Sequence, residues 1–184
     1  MTPLPDLRRL RAFLKRGGVI AYATESCFGL GCDPRNARAV RRLLWLKRRP
    51  RAKGLILIGS DAGQFRRFLA PLPPALEARL GEWWPGPNTL LLPASCRCPS
   101  WLRGRHAKLA VRVTAHPQAA RLCRALGMAL VSTSANRAGQ RPLKTWRACR
   151  QAFDAHVWVL PGRIGRRRRP STILDPLEGG VIRP

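Results

Sequence analysis

The sequence predicts an α/β domain on a substantially parallel or mixed sheet, and three observations predict it. Short runs of aliphatic and β-branched residues recur along the chain, segments with apolar residues at helical spacing separate many of them, and glycine or proline marks most junctions. Leu7, Leu10, Phe13 and Leu14 sit at helix spacing, and Gly17-Gly18 stops them. "VIAYAT" over 19–24 reads as a buried strand. Residues 37–47, "ARAVRRLLWLK", form an amphipathic helix carrying Val40, Leu43, Leu44 and Leu46, with Pro50 just beyond it. "LILI" at 55–58 is a second strand, and two helices are expected within 61–70 and 74–83.

"NTLLL" at 88–92 and "LAVRV" at 109–113 are strands, followed by a helix over 117–126 that ends at Gly127. "MALVST" at 128–133 returns as a strand. A helix near 144–153, then "VWVL" at 157–160, "STIL" at 171–174 and "VIR" at 181–183, complete the series. There is no internal repeat, and the low-complexity stretch "GRIGRRRRP" at 162–170 reads as a mobile loop. With 184 residues the chain is expected to be a single domain over 1–184 with a substantial core.

The net charge is +26, from 35 Lys and Arg against nine Asp and Glu, and it draws polyanions without saying which. Thirty of the 35 cations are arginine, a bias that codon usage explains as readily as a ligand does. The five lysines are therefore the more informative cations. No segment approaches the ~20 apolar residues of a membrane span, and the N-terminus lacks a secretory apolar core, so the expectation is a cytoplasmic protein with no membrane partner. The six cysteines are even in number, but the chain is too large and core-rich to need a disulfide framework. Cys96-Arg97-Cys98 has no second pair at zinc-ribbon spacing.

In open α/β sheets, ligands bind beyond the carboxyl ends of strands. There the sequence places Thr24, Glu25 and Ser26 after the first strand, and Ser132 to Asn136 ("STSAN") after "MALV". Ser171 and Thr172 open a late strand. Each of these also fits a cap or a polar turn. Arg112, inside the apolar "LAVRV", either points to solvent at an edge or faces an anion. Together the hydroxyls, the amide and the cations suggest a pocket for a polar anionic molecule. No phosphate-binding glycine loop and no Ser-His-Asp or Cys-His order is present, and His116 before Pro117 fits a helix cap.

The ordered series "GGVIAYATESCFGLGCD", "LLWLKRRPRAKGLILI", "WPGPNTLLLP", "LAVRVTAHP", "LVSTSAN", "PSTILD" and "VIRP" resembles the short form of the YrdC/TsaC family, from about residue 18 to 184. The resemblance implies a twisted mixed sheet flanked by helices with a basic concave groove. It also implies threonylcarbamoyl-AMP synthesis from L-threonine, bicarbonate or CO2 and ATP, with pyrophosphate released. The product would pass to a separate transferase complex that modifies tRNA.

Carried over residue by residue, the family's K-x-R falls on Lys47 and Arg49 and its S-x-N on Ser134 and Asn136, all nucleotide contacts by resemblance. Arg183 matches a further ATP contact, with Lys53 and Lys108 ranked lower. Ser26, Arg112, Ser171 and the backbone of Ser132 would hold threonine. Magnesium would arrive on the phosphates and needs only one or two carboxylates, none of which the sequence singles out. Two departures stand out: Ala23 replaces a turn proline, and Ile58 stands where longer relatives carry a histidine that touches threonine. Two rival readings remain. One is an RNA-binding, ribosome-maturation module, which +26 would support. The other is a carbamoyl-transfer domain of hydrogenase maturation, whose usual fused regions do not fit within 184 residues.

Overall fold

The computed structural model describes residues 5–184. Nine strands form one mixed sheet in the order β7-β1-β2-β6-β3-β5-β4-β8-β9. They are β1 (Ile20–Ala23), β2 (Phe28–Gly31), β3 (Ile56–Gly59), β4 (Asn88–Pro93), β5 (Lys108–Val113), β6 (Leu130–Ser134), β7 (Trp158–Val159), β8 (Thr172–Asp175) and β9 (Gly180–Arg183). The helices are α1 (Leu7–Lys15), α2 (Ala37–Lys47), α3 (Pro74–Arg79), α4 (Ser100–Arg103), α5 (Pro117–Leu126) and α6 (Trp146–Phe153). Pairing is parallel for β1/β7, β3/β5 and β4/β8 and antiparallel elsewhere.

Strand periodicity sends alternate residues to opposite faces. Val19, Ala21 and Ala23 join one core cluster with Leu57, Val111 and residues of α2, while Ile20, Tyr22 and Ile58 join a second with residues of α1 and α5. Both faces are covered around β1, which is why its run is apolar without alternation.

Local chemistry sets the helix ends. The Asn36 side chain accepts the Ala39 amide at 3.1 Å to start α2. Arg48, in the left-handed conformation, ends it. His116 Nδ1 accepts the Ala119 amide at 3.4 Å, the capping role its sequence context suggests, and Gly127 closes α5 at positive φ.

The structure departs from expectation in four places. β2 lies in a glycine-bearing stretch for which the sequence reading predicts no element. The first expected helix, within 61–70, is only a 3-10 turn at Ala62–Phe65, and α4 is an additional short helix. The arginine-rich stretch is tied down rather than free: the Gly165 amide donates to Thr24 O at 2.9 Å and the Arg167 amide to Glu25 O at 3.1 Å. Among the described residues no helix is long and apolar enough to cross a membrane.

Candidate functional site

The sheet face carrying Ile58 is roofed by α1 and α5 over part of its area only. Beyond them the register sets Ile56 beside Ala110 and Ser132, Ala110 beside Leu91, and Ile58 beside Arg112. Ile56, Ala110 and Leu91 are half-buried, the floor of an open region rather than core. Two cavities occupy it, of about 590 and about 730 Å³. Leu55, Ile56, Arg49 and Arg183 line both, so the cavities adjoin across these residues.

The first cavity is lined by six cations, Arg49, Arg112, Arg141, Lys144, Arg168 and Arg183, and by no carboxylate among the described residues. A one-signed wall of this kind concentrates anions. Burial, with the neighbouring Arg183 second, lowers the pKa of Arg49; burial, with Arg112 second, lowers that of Arg183. The cations thus repel one another until an anion neutralises them. Ser26, Ser132, Ser134 and Ser171 add hydroxyls to the wall. Gly29, opposite Ser134 in the register, contributes no side chain, and a Cβ there would stand 3.4 Å from Ser132 Oγ.

Lys47 is not on the cavity wall. It is 4 % exposed at the end of α2, and its ammonium donates to Ser134 O, to Asn136 O at 2.9 Å and to Asn136 Oδ1 at 3.1 Å. All three N–H donors are therefore used inside the protein. Ser134 Oγ donates to the same Asn136 Oδ1 at 2.6 Å, and Asn136 Nδ2 donates to Arg137 O and Gln140 O. Lys47 and the S-x-N residues make one network that fixes the loop after β6. Burial chiefly, and then Arg49, bring the Lys47 pKa down to about 8. The adjacent Arg49 turns the other way and donates from Nε and Nη2 to Gly54 O at 3.3 and 3.1 Å.

Arg112 is differently placed. Its Nη2 lies 3.4 Å from Glu25 Oε2, and neither its Nε nor that carboxylate oxygen has a hydrogen-bond partner among the described residues. Glu25 is anchored through Oε1, which accepts Thr114 Oγ1 at 2.7 Å and the Ala115 amide at 3.2 Å. Elsewhere on the lining, Arg183 donates to Ser171 O at 3.2 and 2.7 Å, and Ser171 Oγ accepts Thr89 Oγ1 at 2.9 Å.

Lys53 and Lys108 fall outside the first cavity and line the second. Lys53 is exposed, and the Lys108 ammonium is paired with Asp175 and Glu178. Ile58 is fully buried beneath α5. The structure thus gathers Ser26, Arg49, Arg112, Ser132, Ser134, Ser171 and Arg183 around one cavity, with Lys47 and Asn136 behind its wall. Arg141, Lys144 and Arg168 are additions that the sequence reading missed. Their signal was position, in "RPLK" shortly after "SAN" and in an arginine two residues before "PST".

A family model described as telomere recombination, covering Sua5, YciO and YrdC proteins, matches residues 12–184. The chain belongs to this family. A threonylcarbamoyl-AMP synthase of Chromobacterium violaceum is 61 % identical over 98 % of this chain and 97 % of its own length. One from Methylobacillus flagellatus is 58 % identical over 96 % and 98 %. Among solved structures, P. abyssi Sua5 complexed with L-threonine matches 93 % of this chain at 28 % identity and a TM-score of 0.83. The chain spans only about half of that longer protein, 51 %. E. coli YciO shares the fold over 99 % of this chain and 91 % of its own, at 22 % identity and a TM-score of 0.82. This family member is an enzyme of the nucleotidyltransferase type.

Proposed function

We propose that this enzyme makes L-threonylcarbamoyladenylate from L-threonine, bicarbonate and ATP, with release of pyrophosphate, as a cytoplasmic supplier of tRNA modification. The observation that carries the reading is the carboxylate-free cavity with six cations, joined through Arg49 and Arg183 to a second cavity. The likeness to the Sua5 structure holding L-threonine supports the amino-acid half.

In this reading the buried, under-bonded Arg112 takes the threonine carboxylate as a planar fork, with Ser26 and Ser171 beside it. Bicarbonate carboxylates the amine with loss of water. A carbamate oxygen then attacks the α-phosphorus, the bond to the β-phosphate breaks, and pyrophosphate leaves. The charge developing on the phosphates falls on Arg49, Arg183 and the S-x-N loop that Lys47 holds rigid. The adenosine extends over the apolar floor of the second cavity, past Lys53 and Lys108. No protein nucleophile is needed, because the work is alignment of two bound reactants.

A magnesium ion would find hydroxyls but no carboxylate on this wall. Among the described residues no cluster of three acidic, cysteine or histidine side chains could hold a metal. The ion would be held by the phosphates themselves.

The test is pyrophosphate release from ATP and bicarbonate with threonine, without it, and with serine in its place. Threonine-dependent release is expected; a folded protein giving none would refute the reading. Direct tRNA contact is a second activity, favoured by one surface. Trp45 is 67 % exposed, edge-on to His156 and beside Arg48 and Arg137. Such an aromatic platform among cations suits a stacked base and a phosphate. Binding there should weaken steeply with salt and with Trp45→Ala.

A further inference from the structure

We propose that Arg168 contacts the substrate directly, clamping the nucleotide's phosphate chain at the mouth of the first cavity, and that segment 161–170 is built to present it there. The proposal rests on the synthase reading above. Four consecutive arginines suggest a solvated run, but only Arg168 of the four lines the cavity. Their backbone is fixed upstream by His116 Nε2, which meets Arg163 O at 3.0 Å, and by a bridge between Thr145 and Arg163. It is fixed again where the Gly165 and Arg167 amides donate to Thr24 O and Glu25 O. At Gly165 the two segments pass so closely that a Cβ would lie 2.7 Å from Glu25 O.

Arg167 is consumed in shaping the turn. Its Nε donates to Arg169 O and Pro170 O, both at 3.2 Å, and its Nη2 donates to Thr172 Oγ1 at 3.1 Å. These bonds curl residues 168–170 back toward Ser171 and leave the Arg168 side chain over the opening. Among the described residues Arg168 makes no side-chain hydrogen bond or ion pair, so its whole fork is available. A guanidinium there, with no carboxylate on the wall to engage it, matches a phosphate bidentately.

Phosphate is favoured over the amino-acid carboxylate for two reasons. Arg112 already supplies an inner, buried cation for the carboxylate. The Thr145–Arg163 bridge also joins this segment to the loop bearing Arg141 and Lys144, so three unburied cations meet at the rim where a polyanion enters.

The experiment compares Arg168→Ala with Arg166→Ala and Arg169→Ala, which remove the same charge from the same run but not from the cavity. Calorimetric Kd for a non-hydrolysable ATP analogue is measured together with KM for ATP and threonine and the inhibition constant of pyrophosphate. Arg168→Ala is expected to raise the ATP and pyrophosphate constants roughly tenfold, the loss of about one charge-assisted hydrogen bond. Threonine KM should stay unchanged, Arg168→Lys should recover part of the loss, and the two controls should match wild type. Equal small effects from all three alanine variants, or an effect confined to threonine, would overturn the assignment. A wild-type protein inactive with threonine would instead count against the synthase reading, while the analogue Kd would still report on the clamp.

Discussion

Lys47 and Arg112 are both buried cations beside the same cavity, and they are built in opposite ways. Lys47 spends every N–H on carbonyl and amide oxygens of the loop it supports. Arg112 keeps a buried Nε without a partner and only a 3.4 Å approach to Glu25. The satisfied cation braces the wall from behind; the unsatisfied one, in the proposed function, is held ready for an incoming anion. Burial of an unpaired polar group is costly, so its retention at Arg112 points to a ligand that relieves the cost.

The largest effect that would test this contrast is Lys47→Met. It leaves Asn136 O without its donor, at about 1–3 kcal/mol for an acceptor left unpaired, and leaves Ser134 O with the Asn136 amide alone. It should also lower kcat by about 100-fold or more by loosening the S-x-N wall, in the range of losing one preorganised donor. Urea unfolding and pyrophosphate assays check the two effects; a stable variant with normal kcat would make Lys47 dispensable.

Arg112→Gln should come next. Threonine KM is expected to rise by about tenfold or more while ATP KM barely moves, since one charge-assisted fork is lost. Equal changes in both constants would place Arg112 elsewhere in the reaction.

The pH dependence divides the pair further. Lys47 in the folded protein titrates near 8, below its ordinary 10.5. As pH rises through about 8 the ammonium loses a proton and its charge, so kcat/KM for ATP should fall. Between about 8 and 10.5 the unfolded chain holds more protons at this residue, so its contribution to stability grows with pH. Activity and this stability contribution should therefore move in opposite directions, and Lys47→Met should erase both trends. The smallest effect expected is from Arg48→Gly. It relieves a non-glycine residue at φ 50° and should stabilise the fold by up to about 1 kcal/mol without changing either KM.

The same contrast explains what the sequence could reveal. Strongly periodic segments such as α2, α5, β4 and β5 are legible because burial imposes their pattern. β2 is not, because its glycines mimic a loop. At Gly31 a Cβ would stand 2.5 Å from Val131 O and 2.7 Å from the Tyr22 ring, so glycine there records close packing inside a strand. Arg112 stood out as a lone charge in an apolar run. Arg141, Lys144 and Arg168 were hidden by abundance, since in a chain with thirty arginines a loop cation carries little information. The inward turn of Lys47 was hidden too, because sequence spacing gives a direction on a helix but not which oxygens lie at its end.

Arg48 carries one more consequence. Its left-handed turn at the end of α2 sends three successive cations three ways: Lys47 under the loop, Arg48 to the surface beside Trp45, and Arg49 to the seam of the two cavities. Their aim depends on counting residues along the helix, where each step turns the side chain by about 100°. A one-residue deletion within α2 would keep the composition yet point every one of these charges at the wrong target. Length is therefore fixed here even where identity is free, and insertions or deletions, more than substitutions, are the changes this segment is least able to absorb.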